Sequence, residues 1–385
     1  MKDNQVCDYR LCTGCGACRN ICPKKCIIMK EDKLGNLKAT IDSKGCISCE
    51  QCKKICPVNN PIELKKVMKC FAAVRKDRDE LVRCASGGIA SLLMEQCFLK
   101  GFKVFGSRFD MKLCPKVMEL LSCEEIGYFK GSLYVQSSVG NSYAQIKKYL
   151  DSNESVLFVG TPCQVAGLKS FLQQEYAKLI CCDLFCHGVS PYSYLEQELQ
   201  YLNKGNITNI TFRGYSVKED HWLILWNEGR KVFKQAGVTN YYLKGFYDSV
   251  TLRDNCYICK YATDVRAGDI SLGDFLGLKQ DMGGKFKTNC VTAVLINSKQ
   301  GELLFNGIRN SIDYQQHPYE EAVSGGESLR SPSIRPHARD KFEKLYINFG
   351  FPKSIRRTLF IKMIIAYFNR YILFVIRRLK KYFST

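Results

Sequence analysis

The sequence predicts a mixed α/β protein with three parts: a small cysteine-rich module, a larger α/β region with a mixed sheet, and a C-terminal amphipathic helix. Eight cysteines in two regular runs lie within the first 62 residues. Apolar strand-like stretches then alternate with helix-like stretches joined by Gly- and Pro-containing turns, which is typical of a sheet covered by helices. After Pro352 apolar residues recur every three or four positions, which indicates one face of a helix.

Two cysteine runs of identical spacing define the N-terminal module. Each reads Cys-x2-Cys-x2-Cys-x3-Cys-Pro, the spacing with which bacterial-type ferredoxins hold two 4Fe–4S clusters, the fourth cysteine of each run ligating the other cluster. Zinc sites and disulfide scaffolds are the alternatives, but zinc sites favour separate Cys-x2-Cys pairs over two complete quartets. Cluster I is therefore predicted on Cys12, Cys15, Cys18 and Cys56. Cluster II is predicted on Cys46, Cys49, Cys52 and Cys22, while Cys7 and Cys26 are given no ligand role.

Composition places the chain in a reducing compartment. It contains 22 cysteines, and residues 1–10 are polar and are followed by no apolar stretch of the kind found in a signal peptide. So many thiols without export indicate metal use in the cytoplasm rather than disulfides.

The net charge of +20 is unevenly distributed. Between Lys353 and the C-terminus there are nine Lys or Arg residues and no acidic residue. Almost half of the basic excess therefore belongs to this tail, so the charge does not predict a nucleic-acid groove in the body of the protein.

Three turns mark a candidate site in the α/β region. Ser86-Gly87-Gly88 opens the predicted helix Ile89–Leu99, where free N–H groups and the helix dipole favour anions. Gly160-Thr161-Pro162-Cys163-Gln164 follows the predicted strand 156–159. Cys186-His187-Gly188 follows the predicted strand Leu179–Phe185. Ligands of open α/β sheets bind at such carboxyl ends of strands.

Other elements are predicted from shorter patterns. Antiparallel strands are expected between Ile207 and Gln235, a strand over Cys290–Ile296 and a helix over Lys299–Ser311. Ser190 is expected to be the N-cap of a helix that begins at Pro191. Cys181 and Cys182 are interpreted as core residues.

Four motifs in order resemble the coenzyme F-420 hydrogenase/dehydrogenase beta-subunit family over about residues 66–345. They are Gly160-Thr161-Pro162-Cys163-Gln164, Asp183-Leu184-x-Cys186-His187-Gly188, Cys256-x2-Cys259 and Gly268-Asp269-Ile270-Ser271-x-Gly273-Asp274-Phe275. The resemblance implies a flavoprotein that binds FAD and a further 4Fe–4S cluster. It also implies electron transfer between a two-electron carrier, often the deazaflavin coenzyme F-420, and one-electron iron–sulfur partners.

The resemblance also implies site residues. It makes Cys163, Cys186, Cys256 and Cys259 the ligands of a third 4Fe–4S cluster, whereas spacing alone supports only the Cys256/Cys259 pair, with zinc or a buried thiol pair as alternatives. The flavin contacts it implies are Ser86, Gly87, Gly88, Gly160, Thr161 and His187, with His187 alternatively a loop hydrogen-bonding residue. Asp269 and Asp274 are interpreted as structural. No residue is assigned as an acid–base catalyst.

The predicted organisation has four segments. These are a 2x 4Fe–4S ferredoxin-type domain at 1–62, an N-terminal beta-subunit domain at 66–150, a C-terminal flavin and iron–sulfur domain at 151–345, and a basic amphipathic tail at 353–385. The tail is too interrupted by charge to span a bilayer. Its apolar face and basic residues favour the inner membrane surface, with docking on the body or a partner as the alternative.

The leading hypothesis is an FAD- and 4Fe–4S-dependent oxidoreductase that exchanges electrons with a ferredoxin-like partner or substrate. The alternative is an electron-transfer subunit without its own substrate, which serves a separate catalytic protein. A third hypothesis is a structural or regulatory iron–sulfur protein that has lost its flavin. Relatives with this layout resemble proteins encoded among surface-polysaccharide genes, which suggests that context.

Overall fold

The N-terminal module is built from one hairpin and two short helices. The computed structural model describes residues 4–213, 221–278 and 291–383, with side chains described up to residue 372. The hairpin pairs β1 (Ile27–Glu31) antiparallel with β2 (Leu37–Ile41). The helices are α1 (Ala17–Ile21) and α2 (Gln51–Lys54). Each helix carries the third cysteine of one run, so the sequence repeat is also a structural repeat.

A mixed sheet of eight strands forms the centre of the larger region. Its strands are β3 (Lys69–Arg75), β4 (Lys103–Phe109), β5 (Pro115–Leu120), β6 (Val156–Gly160), β7 (Leu179–Leu184), β11 (Ile270–Asp274), β12 (Thr292–Ile296) and β13 (Ile312–His317). Their spatial order is β13-β3-β12-β11-β7-β6-β4-β5. Strands β3, β4, β6, β7 and β11 point one way, and the other three run antiparallel to their neighbours. The predicted mixed sheet and dicluster module are thus confirmed.

Helices cover both faces of this sheet, because successive strand residues point to opposite sides. The flanking helices are α3 (Arg78–Leu81), α4 (Ile89–Leu99), α5 (Ser142–Asp151), α6 (Pro162–Leu172), α9 (Lys299–Asn306) and α10 (Tyr319–Gly325). Cys181 packs in the core beneath α5 and α6, and Cys182 packs in the core beneath α4 and α9. Both side chains are fully buried, as predicted.

A smaller antiparallel sheet lies beside the main one. It consists of β8 (Asn209–Arg213), β9 (His221–Asn227) and β10 (Arg230–Ala236) in the order β10-β9-β8, where antiparallel strands were predicted. Helices α7 (Tyr192–Leu202) and α8 (Tyr241–Tyr247) pack in the same core.

Three predicted element ends differ from the structure. Helix α7 begins at Tyr192 with Pro191 as its cap, because the Ser190 hydroxyl lies 2.8 Å from the Thr251 hydroxyl instead of capping the helix. The helix predicted over Lys299–Ser311 ends at Asn306, and a 3-10 turn follows at Arg309–Ser311. The strand predicted from Cys290 begins at Thr292, and Cys290 lies outside the described residues.

The chain ends in a long helix, α11 (Ala338–Phe383), which is interrupted at Gly350, where φ is 68°. Phe351, Ile355, Leu359 and Met363 recur every four residues and are buried in the core of the smaller sheet. No helix within the described residues is both long enough and apolar enough to span a membrane.

The two central predicted segments contribute to one sheet. Strands β3 to β5 come from residues 66–150, and the other five come from residues 151–345. These segments therefore share one hydrophobic core, while the domain boundaries themselves stay predictions.

Candidate iron–sulfur centres and cofactor cleft

The cysteines predicted for cluster I surround one cavity of the module. This cavity is open to solvent on one side and is lined by Cys12, Cys15, Cys18 and Cys56 together with Thr13, apolar residues and glycines. Burial raises the pKa of Cys15 to about 12, and burial also raises the pKa of Cys18. Thiolates in such a place need a positive partner, which cluster iron supplies. The donor set and the space therefore fit a 4Fe–4S cluster.

The cysteines predicted for cluster II form a second group nearer the surface. Electrostatic contact joins Cys52 to Cys22, Cys46 and Cys49, so the fourth cysteine of the first run lies with three cysteines of the second run. Cys49 is exposed and the other three are partly exposed. Cys18 of the first group lies close to Cys52. The crossed pairing expected for a dicluster ferredoxin is therefore compatible with the fold.

Each group has a fifth cysteine beside it, which the spacing did not predict. Cys7 hydrogen-bonds to Cys12 and Cys56, and these bonds together with burial raise its pKa far above the usual range. Cys26 lies beside Cys22, whose sulfur accepts a hydrogen bond from the Cys26 backbone N–H at 3.3 Å. Both cysteines therefore contact sulfurs of the predicted ligands, and hydrogen bonds to ligand sulfurs tune iron–sulfur sites.

The fold also brings together the four cysteines of the predicted third cluster. Cys163 lies in the first turn of α6, Cys186 follows β7, and Cys256 and Cys259 lie at the 3-10 helix Asp254–Ile258. Electrostatic contact joins Cys186 to the other three. Burial raises the pKa of Cys259 to about 12. Four buried or half-buried cysteines from three parts of the chain fit a third cubane.

The cysteine groups differ from the ligand set of a single metal ion. Within the described residues, no group of three or more His, Cys, Asp or Glu side chains converges as the ligands of one metal ion do. In a cubane each thiolate binds its own iron, so the four sulfurs of a set stand further apart than the ligands of a single ion.

Cluster I and the third group are close neighbours. A Cβ placed on Gly167 in α6 would lie 2.8 Å from the Cβ and 2.9 Å from the Sγ of Cys15. The half-buried Tyr261 side chain lies within electrostatic range of Cys163 and Cys259 of the third group and of Cys15 and Cys56 of cluster I. The two cysteine groups therefore share neighbouring side chains.

The predicted flavin turn before α4 is held against the sheet. The Gly87 N–H donates to Thr292 Oγ1 at 2.9 Å, and Ser86 Oγ donates to the Val291 carbonyl at 3.3 Å. Gly88 has a φ of 77° and no side chain caps the helix that follows it. The first N–H groups of α4 are thus left for a ligand or water.

The other predicted flavin contacts lie next to the third cysteine group. Thr161 Oγ1 is 3.3 Å from Cys163 Sγ, directly after Gly160 at the end of β6. The ring nitrogens of His187 lie 3.2 Å from the hydroxyls of Ser249 and Ser333, and burial lowers the pKa of His187. With both nitrogens engaged, this arrangement favours the loop hydrogen-bonding alternative for His187.

An open cleft of about 470 Å³ lies where the turn before α4 approaches β8. It is lined by Cys84 and by the basic residues Arg83, Lys130 and Arg213, none of which the motifs predicted. Lys130 pairs with Glu80, and Arg213 pairs with Asp274 at 3.1 Å. Its basic lining suits an anionic ligand.

Aromatic side chains connect this cleft with the third cysteine group. Phe212 lines the cleft, and its ring lies 5.6 Å from that of Tyr134. Tyr134 lies 4.7 Å from Phe246, and Phe246 lies 5.3 Å from His187, which follows Cys186. A continuous aromatic layer therefore separates the cleft from the cysteines.

Two buried aspartates hold the backbone around these groups. Asp183 accepts hydrogen bonds from Arg266 Nη2 at 2.8 Å and from the N–H groups of Ala267 and Gly268. Asp269 accepts from Lys65 at 2.5 Å, which ties the linker to the body. Burial alone would raise the pKa of Asp269, but the charges of Lys169 and Lys65 outweigh burial and lower it. Asp269 thus has the structural role that the sequence favoured.

The fold and these cysteine groups define an iron–sulfur electron-transfer protein of the oxidoreductase class. Residues 153–322 match the model for the C terminus of the coenzyme F420 hydrogenase/dehydrogenase beta subunit, and residues 11–60 match the 4Fe-4S dicluster domain. The chain therefore contains a C-terminal domain of this beta-subunit type behind an N-terminal 4Fe-4S dicluster domain, as the resemblance predicted.

Two relatives extend over most of the chain. It is 24% identical over 375 residues to the F subunit of the F(420)H(2) dehydrogenase of Methanosarcina mazei, covering 92% of this chain and 98% of that protein. A chain in the structure of the F420-reducing [NiFe] hydrogenase complex from Methanosarcina barkeri is 19% identical, with a TM-score of 0.46, over 77% of this chain and 92% of that chain.

Proposed function

We propose that the chain is an FAD- and 4Fe–4S-dependent oxidoreductase that passes electrons from a two-electron carrier through three clusters to a protein partner. The observation that carries this proposal is the adjacency of the three cysteine groups. Cys18 lies near Cys52, and Cys15 lies against α6, whose first turn holds Cys163. One-electron carriers placed in sequence are what a flavin needs to release a hydride's two electrons singly.

The flavin is proposed to bind in the basic cleft. Arg83 and Lys130, which line the cleft, would hold the pyrophosphate. FAD, when bound, would accept the hydride and supply single electrons. The protein's own part is to hold the flavin's anionic groups and to shield the path to the cysteines with the aromatic layer.

The structure supports one order of carriers. Next to the aromatic layer lie the cysteines of the third group, followed by cluster I, whose cysteines are buried, and cluster II, which is nearer the surface. Cys49 of cluster II is exposed, and the neighbouring Ile47 side chain is 57% exposed. We place the contact with a ferredoxin-like partner or a separate catalytic protein at this surface.

Coenzyme F-420 is the proposed electron carrier at the flavin. The relative from Methanosarcina mazei is named as part of an F(420)H(2) dehydrogenase, and it aligns with nearly the whole chain. The surface-polysaccharide context stays a prediction to which no described residue adds support.

The test uses the full chain, purified without oxygen and loaded with FAD. Reduced coenzyme F-420 is added, and cluster reduction is followed by absorbance and electron paramagnetic resonance. Flavin bleaching followed by cluster reduction supports the enzyme. Cluster reduction by dithionite but not by reduced F-420 or NADH would instead favour the alternative, an electron-transfer subunit without its own substrate. Absence of flavin binding would overturn the flavoprotein assignment.

A membrane surface is the proposed partner of the C-terminal helix. The docked side of α11 carries Met363, whereas Ile361, Ile364, Ile365 and Phe368 on the opposite side are each more than half exposed. From Lys353 onward there are nine basic residues and no acidic residue, which disfavours contact between two copies of this helix and favours an anionic bilayer.

Vesicle flotation of the full chain tests this surface. Binding to phosphatidylcholine vesicles that contain phosphatidylglycerol is expected, with a loss of at least tenfold in the double variant Ile361→Glu, Ile365→Glu. Leu303→Glu is the matched control, because Leu303 is 71% exposed on a different helix. Equal flotation of the double variant and the control would contradict the proposal, and so would a stable dimer in place of vesicle binding.

A further inference from the structure

One buried arginine contacts both the N-terminal module and the body of the protein. Arg253 precedes the 3-10 helix that carries Cys256, and it is 1% exposed. Its Nη1 donates to the Thr13 carbonyl, and its Nη2 donates to the carbonyls of Cys12 at 3.2 Å and Leu37 at 2.8 Å. A body residue therefore holds the loop that carries the first ligand of cluster I.

Arg253 also lies beside the third cysteine group. The Cys256 N–H donates to the Arg253 carbonyl at 2.9 Å, and the Arg253 N–H donates at 3.0 Å to the carbonyl of Val189, three residues after Cys186. One cation thus lies close to ligands of two separate clusters.

The hydrogen-bond acceptors of Arg253 are neutral carbonyls, and its buried Nε has no partner within the described part of the chain. A buried cation is costly unless negative charge lies nearby. A 4Fe–4S cluster with four thiolates carries net negative charge, which increases when the cluster takes up an electron. The cysteine groups on either side of Arg253 would supply that charge.

Building on the proposed function, we infer that Arg253 is a shared counter-ion that positions cluster I against the third cluster and raises the reduction potentials of both. A fixed positive charge stabilises the reduced, more negative state of each cluster. Because the charge lies between them, it raises both potentials together and keeps transfer between the two clusters close to balance. Removing it makes both clusters harder to reduce.

The test is an anaerobic potentiometric titration of the full-length, cluster-loaded protein, monitored by electron paramagnetic resonance. Arg253→Gln is expected to weaken reduction of both cluster I and the third cluster at least tenfold, which lowers each potential by about 59 mV for a one-electron couple. In Arg253→Lys, which keeps the positive charge, the reduction potentials are expected to shift by less than a third of that amount.

Arg339→Gln is the matched control. Arg339 is equally buried and lies nearby, but it pairs with Asp254 and Glu343 and donates to the Val250 carbonyl. Its substitution is expected to lower thermal stability and leave the potentials unchanged.

The outcomes separate this inference from the proposed function. Three intact clusters with unchanged potentials in Arg253→Gln would overturn the counter-ion role and leave the electron chain standing. An equal shift in Arg253→Lys or in Arg339→Gln would overturn it as well. A wild-type protein that shows only two cluster signals would instead refute the third cluster. If Arg253→Gln loses cluster I on purification, the comparison is made with Arg253→Lys. Retention of cluster I with wild-type potentials in Arg253→Lys then supports the inference, because only the positive charge separates the two variants.

Discussion

Gly167 provides a sharp test of how the ferredoxin module meets the body, because two opposing effects act on one methyl group. Gly167 lies inside α6, where replacing glycine by alanine ordinarily stabilises a helix by about 0.5–1 kcal/mol. The added Cβ, however, would lie 2.8 Å from Cys15 Cβ and 2.9 Å from its Sγ. Carbon atoms in good contact are about 3.5–4.0 Å apart, so one side has to move by nearly 1 Å.

Overpacking of this kind costs about 1–3 kcal/mol, which exceeds the gain in helix propensity. The moving group is a predicted ligand of cluster I, so the strain is expected to fall on that cluster. At about 1.4 kcal/mol per factor of ten, Gly167→Ala should release iron to a chelator roughly tenfold faster than wild type. The assay follows the absorbance of the anaerobic protein after addition of an iron chelator.

Gly127→Ala is the matched control, because a Cβ at Gly127 has no heavy atom within 4 Å and the backbone there does not have a positive φ. It should release iron at the wild-type rate. If Gly167→Ala also releases iron at that rate, or more slowly, then α6 does not press on the cluster I loop and the proposed adjacency is wrong.

Three further predictions concern buried charge and the cleft. Asp183→Asn breaks a fully buried ion pair and should lower the free energy of unfolding by about 3–5 kcal/mol, which lowers the apparent unfolding midpoint. Asp151→Asn, in an exposed ion pair, should change the midpoint little, and equal midpoints for the two variants would contradict the burial argument. Because the pKa of Asp269 is lowered, its contribution to stability is complete above its ordinary pKa of 3.8 and is lost as the pH falls below that value. Asp269→Asn should therefore make stability fall less steeply at acidic pH than in wild type, and an equally steep fall would refute this. Lys130→Ala should weaken FAD binding about tenfold, as measured by fluorescence titration. Lys112→Ala, at an exposed position, is the control, and equal FAD affinities of the two variants would contradict the prediction.

The cysteine runs could be interpreted from sequence because their chemistry is local. Each run supplies three thiols within seven residues, and the crossed fourth ligand follows from the repeat itself. The alternation of apolar strands and helices likewise predicted the covered mixed sheet, since its pattern depends on burial along each element. Cys181 and Cys182 were recognised as core residues for the same reason.

Features that depend on distant contacts were not predicted. Arg253 is one of many basic residues in the sequence, and only the folded chain brings it to the carbonyls of Cys12 and Leu37. Ser190 shows the same limit at short range: a serine before proline suggests a helix cap, but its hydroxyl bonds to Thr251 from a later loop. The basic cleft is assembled from four separate segments and has no motif.

The central claim is that one chain holds three adjacent clusters. The most direct test measures the iron and acid-labile sulfide content of the anaerobically purified wild-type protein and of its Cys186→Ser variant. The account predicts about twelve iron per wild-type chain and about eight in the variant, because only the third cluster loses a ligand. The two-cluster signal of the N-terminal module should be retained in both. About eight iron in wild type and variant alike would contradict the claim and leave the ferredoxin module as the only redox-active part of the chain.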